Sequence, residues 1–445
     1  MNRPDAQTWR DDLRTLAAEL PQRHQNLFHT LTPARFEAAV AALDERIPAL
    51  ARHQAIVELA RLVALIGDGH SRLDLLGGAQ VGFGRLPLRL YMYSDGLCVQ
   101  AAAREHAQAA GARVMAIGDT PVEQAYALAR ELVARDNEVW VKHIAPSLLA
   151  IPEVLHSLGI IPSPERAAFA LALPGGEQAT VELQAGPADA QTDWLDAAEQ
   201  AGTPMPLWLR APDTKHWFAH LRDSNTLYVQ YNAVRDKPEE TIAEFFDKVF
   251  TYADARQPER FVLDIRRNGG GNGYLNQPII HGLIRRDAIN QPGKLFTIIG
   301  RATFSAAMML ADDLEKHTKT LFVGEPTGAS PNMYGDAEKI VLPHSGLEVW
   351  ASTLHWVYTE PRDSRPWLAP DLPAELASAD YRARRDPALE AILRHTPSPA
   401  DAERVAFPER LWREIDALPE PEAAARRARY QITPVFHPAS SQPGS

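Results

Sequence analysis

The spacing of apolar residues changes along this chain and separates a helical beginning from a strand-rich centre. Over residues 8–20, 33–47 and 53–66, apolar positions recur every three or four residues, which predicts three amphipathic helices. Residues 86–103 instead contain two short apolar runs that flank turn residues at 94–96, and this predicts a hairpin of two strands. The pattern therefore predicts helices first and a mixed α/β architecture afterwards.

Three apolar runs dominate the centre of the chain, at residues 261–265, 295–299 and 321–323. Each is followed by small or turn-forming residues, and helical segments alternate with them, which predicts buried parallel strands. After the first run, residues 268–273 include four glycines, a composition that implies positive φ angles or a close approach of the backbone to a ligand. After the second run, the chain passes through Ser305 into a strongly helical segment. The centre is therefore predicted to be an α/β core with two unusual strand ends.

The flanking segments complete the predicted organisation. Residues 185–212 are rich in Ala, Gly, Pro and Asp and predict a linker or exposed loop. Residues 337–358 predict a hairpin that turns at 344–346, and the polar tail at 437–445 predicts disorder. We expect four parts, which are an N-terminal helical region (1–78), a small α+β module (79–206), an α/β core (207–380), and C-terminal helices with the tail (381–445).

Composition excludes several classes of function. The net charge of −11 and the pI near 5.8 leave no basic stripe for nucleic-acid phosphates, so no nucleic-acid partner is expected. Cys98 is the only cysteine, which rules out an intramolecular disulfide and a thiolate metal cluster. We expect no metal and no cofactor, because no His, Asp or Glu residues have ligand spacing. No transmembrane segment is expected, because no apolar run reaches about 18 residues. Taken as they stand, the polar first residues predict a cytoplasmic protein. A periplasmic or secreted protein is expected instead if a signal peptide was removed.

The two unusual strand ends suit acyl transfer by a serine, which needs an exposed nucleophile, a base and donors for an oxyanion. Ser305 precedes a predicted helix, where unpaired N–H groups favour negative charge, although serine is also a common structural N-cap. The glycine-rich loop can aim an N–H group at an oxyanion, and the N–H of Ala306 is its natural partner. A phosphate cradle is disfavoured because the Gly-Lys-Ser/Thr ending is missing, whereas a purely structural turn stays open.

The central segment lacks a base of its own. Its two histidines, His281 and His317, lie in predicted helices. His70 lies instead on a turn bounded by Gly67 and Gly69, between a predicted helix and a predicted strand, although a solvated loop histidine is the alternative. The candidate base is therefore His70, and the site is expected to form only when the N-terminal region docks onto the core.

Several ordered motifs together resemble the S41 family of serine peptidases. They are IGDGHSRL at 66–73, DIRRNGGG at 264–271, RATFSAAMMLADDLE at 301–315, VGEPTGASPN at 323–332 and APDLP at 369–373. This family includes the C-terminal processing proteases, the tricorn core protease and the interphotoreceptor retinoid-binding protein. The resemblance implies a ClpP/crotonase-like core, and the 79–206 module resembles a PDZ-like domain in outline.

Carried over by motif, the resemblance implies that Ser305 is the nucleophile and that Gly270 and Ala306 supply the oxyanion donors. The lysine base of the processing branch is absent, since its stretch contains Ser330 and no lysine. The tricorn-like branch uses a histidine that His70 matches.

In tricorn a serine precedes the base histidine and is held by a glutamate, but Gly69 stands at that serine position here. Glu360 is the first candidate for the acidic member that supports His70, with Asp363 and Asp68 as the others. The expected function is hydrolysis of peptide bonds in a peptide or protein substrate through an acyl-enzyme on Ser305. The alternatives are a non-catalytic ligand-binding protein on the same fold and a crotonase-type acyl-CoA enzyme.

Overall fold

The structure is a computed structural model that describes residues 6–77, 81–199, 202–361 and 363–403, together with residues 413, 417, 419 and 422. Within these ranges its α-helices are α1 (Ala6–Arg23), α2 (Pro33–Arg46), α3 (Arg52–Ala64), α4 (Val122–Arg130), α5 (Glu138–Leu148), α6 (Pro152–Ser157), α7 (Leu207–Arg210), α8 (Ile242–Arg256), α9 (Gln277–Ile284), α10 (Ala306–His317), α11 (Ser378–Arg382), α12 (Pro387–Arg394) and α13 (Pro399–Glu403). Its strands are β1 (Arg72–Leu73), β2 (Gly84–Arg85), β3 (Leu88–Tyr93), β4 (Gly96–Ala103), β5 (Arg113–Ile117), β6 (Thr120–Pro121), β7 (Arg166–Ala172), β8 (Gln178–Gln184), β9 (Gly186–Pro187), β10 (Trp194–Asp196), β11 (His216–Leu221), β12 (Thr226–Tyr231), β13 (Arg260–Asp264), β14 (Leu295–Ile299), β15 (Leu321–Gly324), β16 (Met333–Val341), β17 (Glu348–Trp356) and β18 (Leu372–Pro373). The predicted mixed α/β architecture is confirmed.

The three N-terminal helices form as their apolar periodicity predicts. In α1, Leu13, Leu16 and Leu20 recur at three- and four-residue spacing and are all fully buried. Thr32 caps α2 through its side chain, which accepts a hydrogen bond from the N–H of Arg35. These helices share one apolar core with the strands of the following module.

Residues 88–196 build a seven-stranded antiparallel sheet in which β10, β4, β5, β7 and β8 lie in that order. Strand β3 pairs with β4, so the hairpin predicted over residues 86–103 is confirmed. The stretch 185–212 was predicted wrongly as a linker or exposed loop. It contributes β10 to this sheet by antiparallel pairing with β4, because its sparse apolar residues suffice for an edge strand.

The core is a six-stranded sheet with the order β11-β12-β13-β14-β15-β18, parallel throughout except for β11. The three apolar runs of the sequence are β13, β14 and β15, and their parallel pairing is confirmed. Helices α8, α9 and α10 cover one face of the sheet, and α7 and α12 contribute apolar residues to the other. Burial on both faces explains why these strands are continuously apolar.

A three-stranded sheet links the beginning of the chain to its centre. Strand β1, just after His70, pairs with β17 of the predicted hairpin, with Arg72 opposite Trp350. Strand β17 also pairs with β16 along its length, as predicted. This pairing carries the His70 turn to the hairpin that follows the core motifs.

No helix among the described residues is long and apolar enough to cross a membrane. The polar tail at 437–445, which was predicted to be disordered, lies outside the described residues.

Candidate active site

Ser305 adopts an unusual backbone conformation at the junction of β14 and α10. Its φ is 55° and its ψ is −127°, values that a residue with a side chain adopts only at a cost of the order of 1–3 kcal/mol. Its side chain makes no capping hydrogen bond to α10, so the ordinary structural role of a serine at this position is not realised. The residue is partly exposed. Ser305 thus has a strained backbone at the N-terminus of α10, and its hydroxyl is not used to cap the helix.

Gly270 lies directly against Ser305. A β-carbon on Gly270 would lie 2.7 Å from the Ser305 Cβ, 2.8 Å from the Ala306 nitrogen and 2.9 Å from the Phe304 oxygen. Its φ of +98° also belongs to the region that favours glycine. The prediction that the glycine-rich loop and the serine share one site therefore agrees with the contact between Gly270 and Ser305.

Asn268 organises this loop, a role that the sequence did not indicate. Its side-chain oxygen accepts the N–H of Gly270 at 2.9 Å, and its backbone oxygen accepts the N–H of Phe304 at 3.1 Å. Its side-chain amide donates to the Tyr231 oxygen at 3.0 Å, so the residue satisfies its polar groups while fully buried. The N–H of Gly270 is consequently engaged within the loop.

The N–H of Gly271 faces a different way. The Gly270 carbonyl accepts a hydrogen bond from the Val234 N–H at 3.0 Å, and Val234 follows β12. In a trans peptide the C=O and the next N–H point in opposite directions. The Gly271 N–H therefore points away from β12 towards the end of β14, where Ser305 lies, and no described group accepts a hydrogen bond from it.

His70 reaches this site from the N-terminal region through Phe304. The imidazole stacks on the Phe304 ring at a centroid distance of 4.6 Å, and Phe304 stacks on Trp140 at 4.2 Å. A β-carbon on Gly69 would lie 2.7 Å from a Phe304 ring carbon, so the ring occupies the space that a larger residue would need. This crowding explains why a glycine rather than a serine precedes His70.

Burial lowers the pKa of His70 to about 4, although the Asp68 carboxylate and the backbone of Tyr334 act to raise it. The imidazole is therefore neutral near pH 7, the form in which a histidine can accept a proton. Its Nδ1 is buried, and no described group forms a hydrogen bond with it. The ring is thus a base without a described acidic partner.

Asp68 holds the turn that carries His70. One of its oxygens accepts the N–H groups of His70 at 2.8 Å and Ser71 at 2.7 Å, together with the Ser352 hydroxyl at 2.9 Å. The other lies 2.8 Å from Nε2 of His24. Burial alone would raise the pKa of Asp68, but the hydrogen bonds from His24 and Ser71 outweigh burial and lower it to about 2.

The other two candidate acids, Asp363 and Glu360, differ in whether the carboxylate has a described partner. Asp363 is buried and forms an ion pair with Arg365 at 2.8 Å. The backbone oxygen of Glu360 accepts a hydrogen bond from the Asn332 side chain at 2.7 Å, which anchors the segment after β17. No described hydrogen bond or ion pair involves the Glu360 carboxylate, and none joins it to His70.

Asp136 is a second carboxylate at the site that the sequence did not single out. It accepts the N–H of Gly69 at 2.7 Å and that of Ser330 at 3.4 Å, so it ties the His70 turn to the loop after β15. Burial, together with the nearby charge of Asp68, raises the pKa of Asp136 to about 7. Nothing in the sequence near Asp136 distinguishes it from an acidic residue on the protein surface.

The remaining predicted site residue, Ala306, is the first residue of α10, and its backbone nitrogen lies beside Gly270. Within the described ranges, no group of three or more His, Cys, Asp or Glu side chains has an arrangement that would hold a metal ion. The structure thus places Gly270 and the Ala306 nitrogen beside Ser305, and it stacks His70 on Phe304, the residue before Ser305.

The overall fold is similar to that of a solved structure, mature CPAF. Mature CPAF complexed with lactacystin aligns with a TM-score of 0.62 and 12% sequence identity over 87% of this chain and 97% of the CPAF chain. The photosystem II D1 C-terminal processing protease matches at 0.37 and 16% identity over 90% of this chain and 99% of its own. The tricorn protease matches at 0.39 and 13% identity over 87% of this chain and 36% of its own.

No protein-family model matches the sequence, and no curated protein matches it either. The likeness to CPAF at 12% identity establishes the fold alone.

Proposed function

We propose that this protein is a serine peptidase of S41 type that hydrolyses peptide bonds through an acyl-enzyme on Ser305. The observation that carries the proposal is the backbone of Ser305, which is strained, uncapped and in contact with Gly270. A strained residue persists only where the surrounding structure enforces it, and such residues cluster at active sites. The strand-to-helix turn that exposes the hydroxyl is a geometry suited to a nucleophile.

In the acylation step, Ser305 Oγ attacks the carbonyl carbon of the scissile peptide bond while His70 takes the hydroxyl proton. The tetrahedral intermediate collapses as the carbon–nitrogen bond breaks, and His70 returns the proton to the leaving amine. Water then attacks the ester, again with His70 as base, and releases the acid and free Ser305. Burial lowers the pKa of His70 to about 4, which keeps its imidazole unprotonated at neutral pH but also makes it a weak base, so the proposal needs a carboxylate that stabilises the protonated ring.

Two backbone donors are proposed to stabilise the oxyanion of the intermediate. The Ala306 N–H belongs to the first turn of α10, where N–H groups lack helical partners. Gly270 was predicted as the donor of the loop, but its N–H is engaged by Asn268. We therefore assign to Gly270 the role of making room for Ser305, and to the Gly271 N–H the role of second donor.

Glu360 remains our proposal for the acid that supports His70. The carboxylates of Asp68 and Asp363 already have other partners, whereas that of Glu360 has none among the described residues. A carboxylate hydrogen-bonded to Nδ1 would fix the tautomer of the imidazole and stabilise its charged form. The Glu360 carboxylate is proposed to reach Nδ1 when substrate is bound.

The alternatives are less well supported. A ligand-binding protein on this fold would not need strain at Ser305, and a crotonase-type acyl-CoA enzyme would need the oxyanion donors but not the serine. The finer assignments of the core as ClpP/crotonase-like and of the 79–206 module as PDZ-like are part of the same proposal, and they rest on the sequence resemblance.

A serine-directed fluorophosphonate tests the proposed function. Wild-type protein should be labelled with one equivalent, and labelling should disappear in Ser305→Ala and slow strongly in His70→Ala. A folded wild-type protein that resists labelling would contradict the assignment of Ser305. Full reactivity of His70→Ala would retain the nucleophile but remove His70 as its base.

A further inference from the structure

A cavity of about 1420 Å³ lies beside the glycine-rich loop, between the carboxyl ends of the central parallel strands and strand β3. Gly269 of the loop, Arg301 after β14 and Glu325 after β15 line it. Trp140, whose ring stacks on Phe304, lines it as well. In α/β sheets this edge is where ligands bind. The cavity therefore adjoins the proposed active site.

Two arginines that line the cavity already have carboxylate partners. Arg266 makes two hydrogen bonds to Asp386, at 2.8 and 3.0 Å, and lies 2.8 Å from an oxygen of Asp264. Arg301 makes two hydrogen bonds to Glu325, both at 2.6 Å. Each guanidinium thus binds a carboxylate through two parallel bonds, the geometry that suits its planar fork.

Arg267, between Arg266 and the glycine-rich loop, has no carboxylate partner among the described residues. Its only described hydrogen bond is a long one, 3.4 Å, to the backbone oxygen of Trp208, and the Trp208 ring lies 5.9 Å below it. Asp264 and Asp213 act on it electrostatically, but neither forms an ion pair with it among the described residues. A guanidinium has five N–H donors, so most of its hydrogen-bonding capacity is unused. Burial accordingly lowers the pKa of Arg267 below its usual range.

His143 also lines the cavity, and its pKa is affected by the charges of the cavity arginines. The pKa is lowered to about 4 by burial and then by the charges of Arg301 and Arg267. The imidazole is neutral at pH 7 and can donate or accept a hydrogen bond there. Six arginines and four acidic residues line the cavity, so its lining has a formal excess of two positive charges in a chain of net charge −11, and this favours an anionic ligand.

We propose that this cavity binds a carboxylate of the peptide substrate and that Arg267 holds it through two parallel hydrogen bonds. This inference rests on the proposed peptidase function. Arg267 precedes Gly270 by three residues, a separation of at most about 10 Å along the chain, so the bound carboxylate lies within a few residues of the scissile bond. The substrate class is therefore acidic peptides, with the carboxylate either on a side chain or at the chain terminus.

Matched peptide pairs test this specificity. Fluorogenic peptides that differ only in Asp against Asn, or Glu against Gln, near the cleaved bond should show a kcat/KM about ten- to a hundredfold higher for the acid. A second pair, with a free terminal carboxylate against a terminal amide, distinguishes the two sources of the carboxylate. Equal kcat/KM values within every pair would overturn the proposal.

Variants of Arg267 assign the preference to this side chain. Arg267→Gln should abolish the acid preference, whereas Arg267→Lys should keep part of it, because lysine retains the charge but not the paired hydrogen bonds. Arg130→Gln, which removes an exposed arginine paired with Glu138, is the control and should keep the full preference. An acid preference that survives in a folded Arg267→Gln variant would also overturn the proposal.

Binding separates this inference from the proposed chemistry. Ser305→Ala cannot form an acyl-enzyme, so the affinity of the same labelled peptide pairs for this variant can be measured by fluorescence anisotropy. Tighter binding of the acid peptide that is lost on adding Arg267→Gln supports the carboxylate site even if wild type fails to react with fluorophosphonate. Equal binding of acid and amide peptides, with normal fluorophosphonate labelling of wild type, refutes the carboxylate site and leaves the peptidase proposal intact.

Discussion

His70 stacks on Phe304, the residue directly before Ser305, with ring centroids 4.6 Å apart and ring planes at 29°. This contact joins the turn after the N-terminal helices to the start of α10. Because Phe304 also stacks on Trp140, its ring is held from two directions. The relative position of the proposed base and nucleophile therefore depends in part on this aromatic side chain.

Replacing Phe304 by leucine should lower activity more than stability. The leucine keeps the site apolar but removes both ring stacks, so His70 is no longer held in place, and a misplacement of about 1 Å costs about a hundredfold in rate. We expect the rate of fluorophosphonate labelling to fall ten- to a hundredfold while the thermal unfolding midpoint falls by only a few degrees. Phe28→Leu, at a more exposed phenylalanine, is the control. Unchanged labelling of Phe304→Leu would show that the stack does not position the base.

Two adjacent glycines provide a matched pair of variants. Gly270→Ala should abolish labelling, because the new methyl group would lie within 3 Å of Ser305, Ala306 and Phe304 and the φ of +98° disfavours it. Gly269→Ala should retain most of the reactivity, since no atom of the described residues lies within 4 Å of the place that its new methyl group would take. Equal effects of the two substitutions on the labelling rate would count against the assigned contact with Ser305.

The proposed base predicts a low acid limit for reactivity. With a pKa of about 4, His70 is neutral and can accept a proton above that pH, and it loses this ability as the pH falls through about 4. The rate of labelling by an uncharged fluorophosphonate should therefore stay level from neutral pH down to about 5 and then fall. The unfolding transition at each pH serves as the control for loss of structure. A midpoint at 6.5 or higher would contradict the buried, unpaired environment of the imidazole.

Asp136 should make the folded state less stable at high pH. Its pKa is raised from 3.8 to about 7, so the folded protein holds a proton that the unfolded chain has lost, and the stabilisation present below pH 4 disappears as the pH rises towards 7. Asp136→Asn removes this dependence. The variant should gain up to about 3 kcal/mol in unfolding free energy relative to wild type between pH 5 and pH 8, at about 1.4 kcal/mol per pKa unit.

Chemical denaturation of both proteins at the two pH values checks this difference, because the other titrating groups are common to both. If the unfolding free energies of wild type and Asp136→Asn changed with pH in parallel, the Asp136 carboxylate would not be the source of the pH dependence. The amide can still accept one N–H group from Gly69 or Ser330, which limits the structural change.

Asp68→Asn should destabilise the turn that carries His70. The His24 Nδ1 accepts the Asn26 N–H, so its Nε2 carries the proton that is donated to Asp68. In one orientation, an asparagine side chain at residue 68 points its NH₂ group at the His24 Nε2–H, so that two donors face each other. In the other orientation, its NH₂ group faces the N–H groups of His70 and Ser71, which then lose their acceptor. We expect a loss of about 2–4 kcal/mol in stability and slower labelling of Ser305.

Differential denaturation and labelling, with the exposed Asp119→Asn as the control, measure these two effects. Wild-type stability of Asp68→Asn would show that the buried carboxylate is dispensable to the turn.

Much of the core and part of the site could be predicted from the sequence because they depend on local patterns. The parallel strands β13, β14 and β15 are continuously apolar because both faces of the sheet are covered. The positions of Ser305 and the glycine-rich loop follow from where those strands end. Edge strand β10 was missed because an edge strand needs few apolar residues and its pairing is not local.

The contacts that hold the site together had no local signal. From the sequence alone, Phe304 is one of many apolar residues, Asn268 is a typical turn residue and Asp136 is a typical exposed acid. In the structure, each of them joins segments that are distant in the chain. Such roles arise only when two elements meet, so they depend on tertiary packing and not on the spacing of neighbours.

The ends of the core strands and the small residues that follow them could be predicted from local patterns, since burial and backbone freedom are properties of a segment and its neighbours. The strain at Ser305, the bond from the Gly270 N–H to Asn268 and the stacking of His70 on Phe304 became apparent only in the folded structure. The physical reason is that strain, hydrogen-bond competition and ring stacking depend on the distance between segments, which the pairing of β1 with β17 and the packing of α10 set.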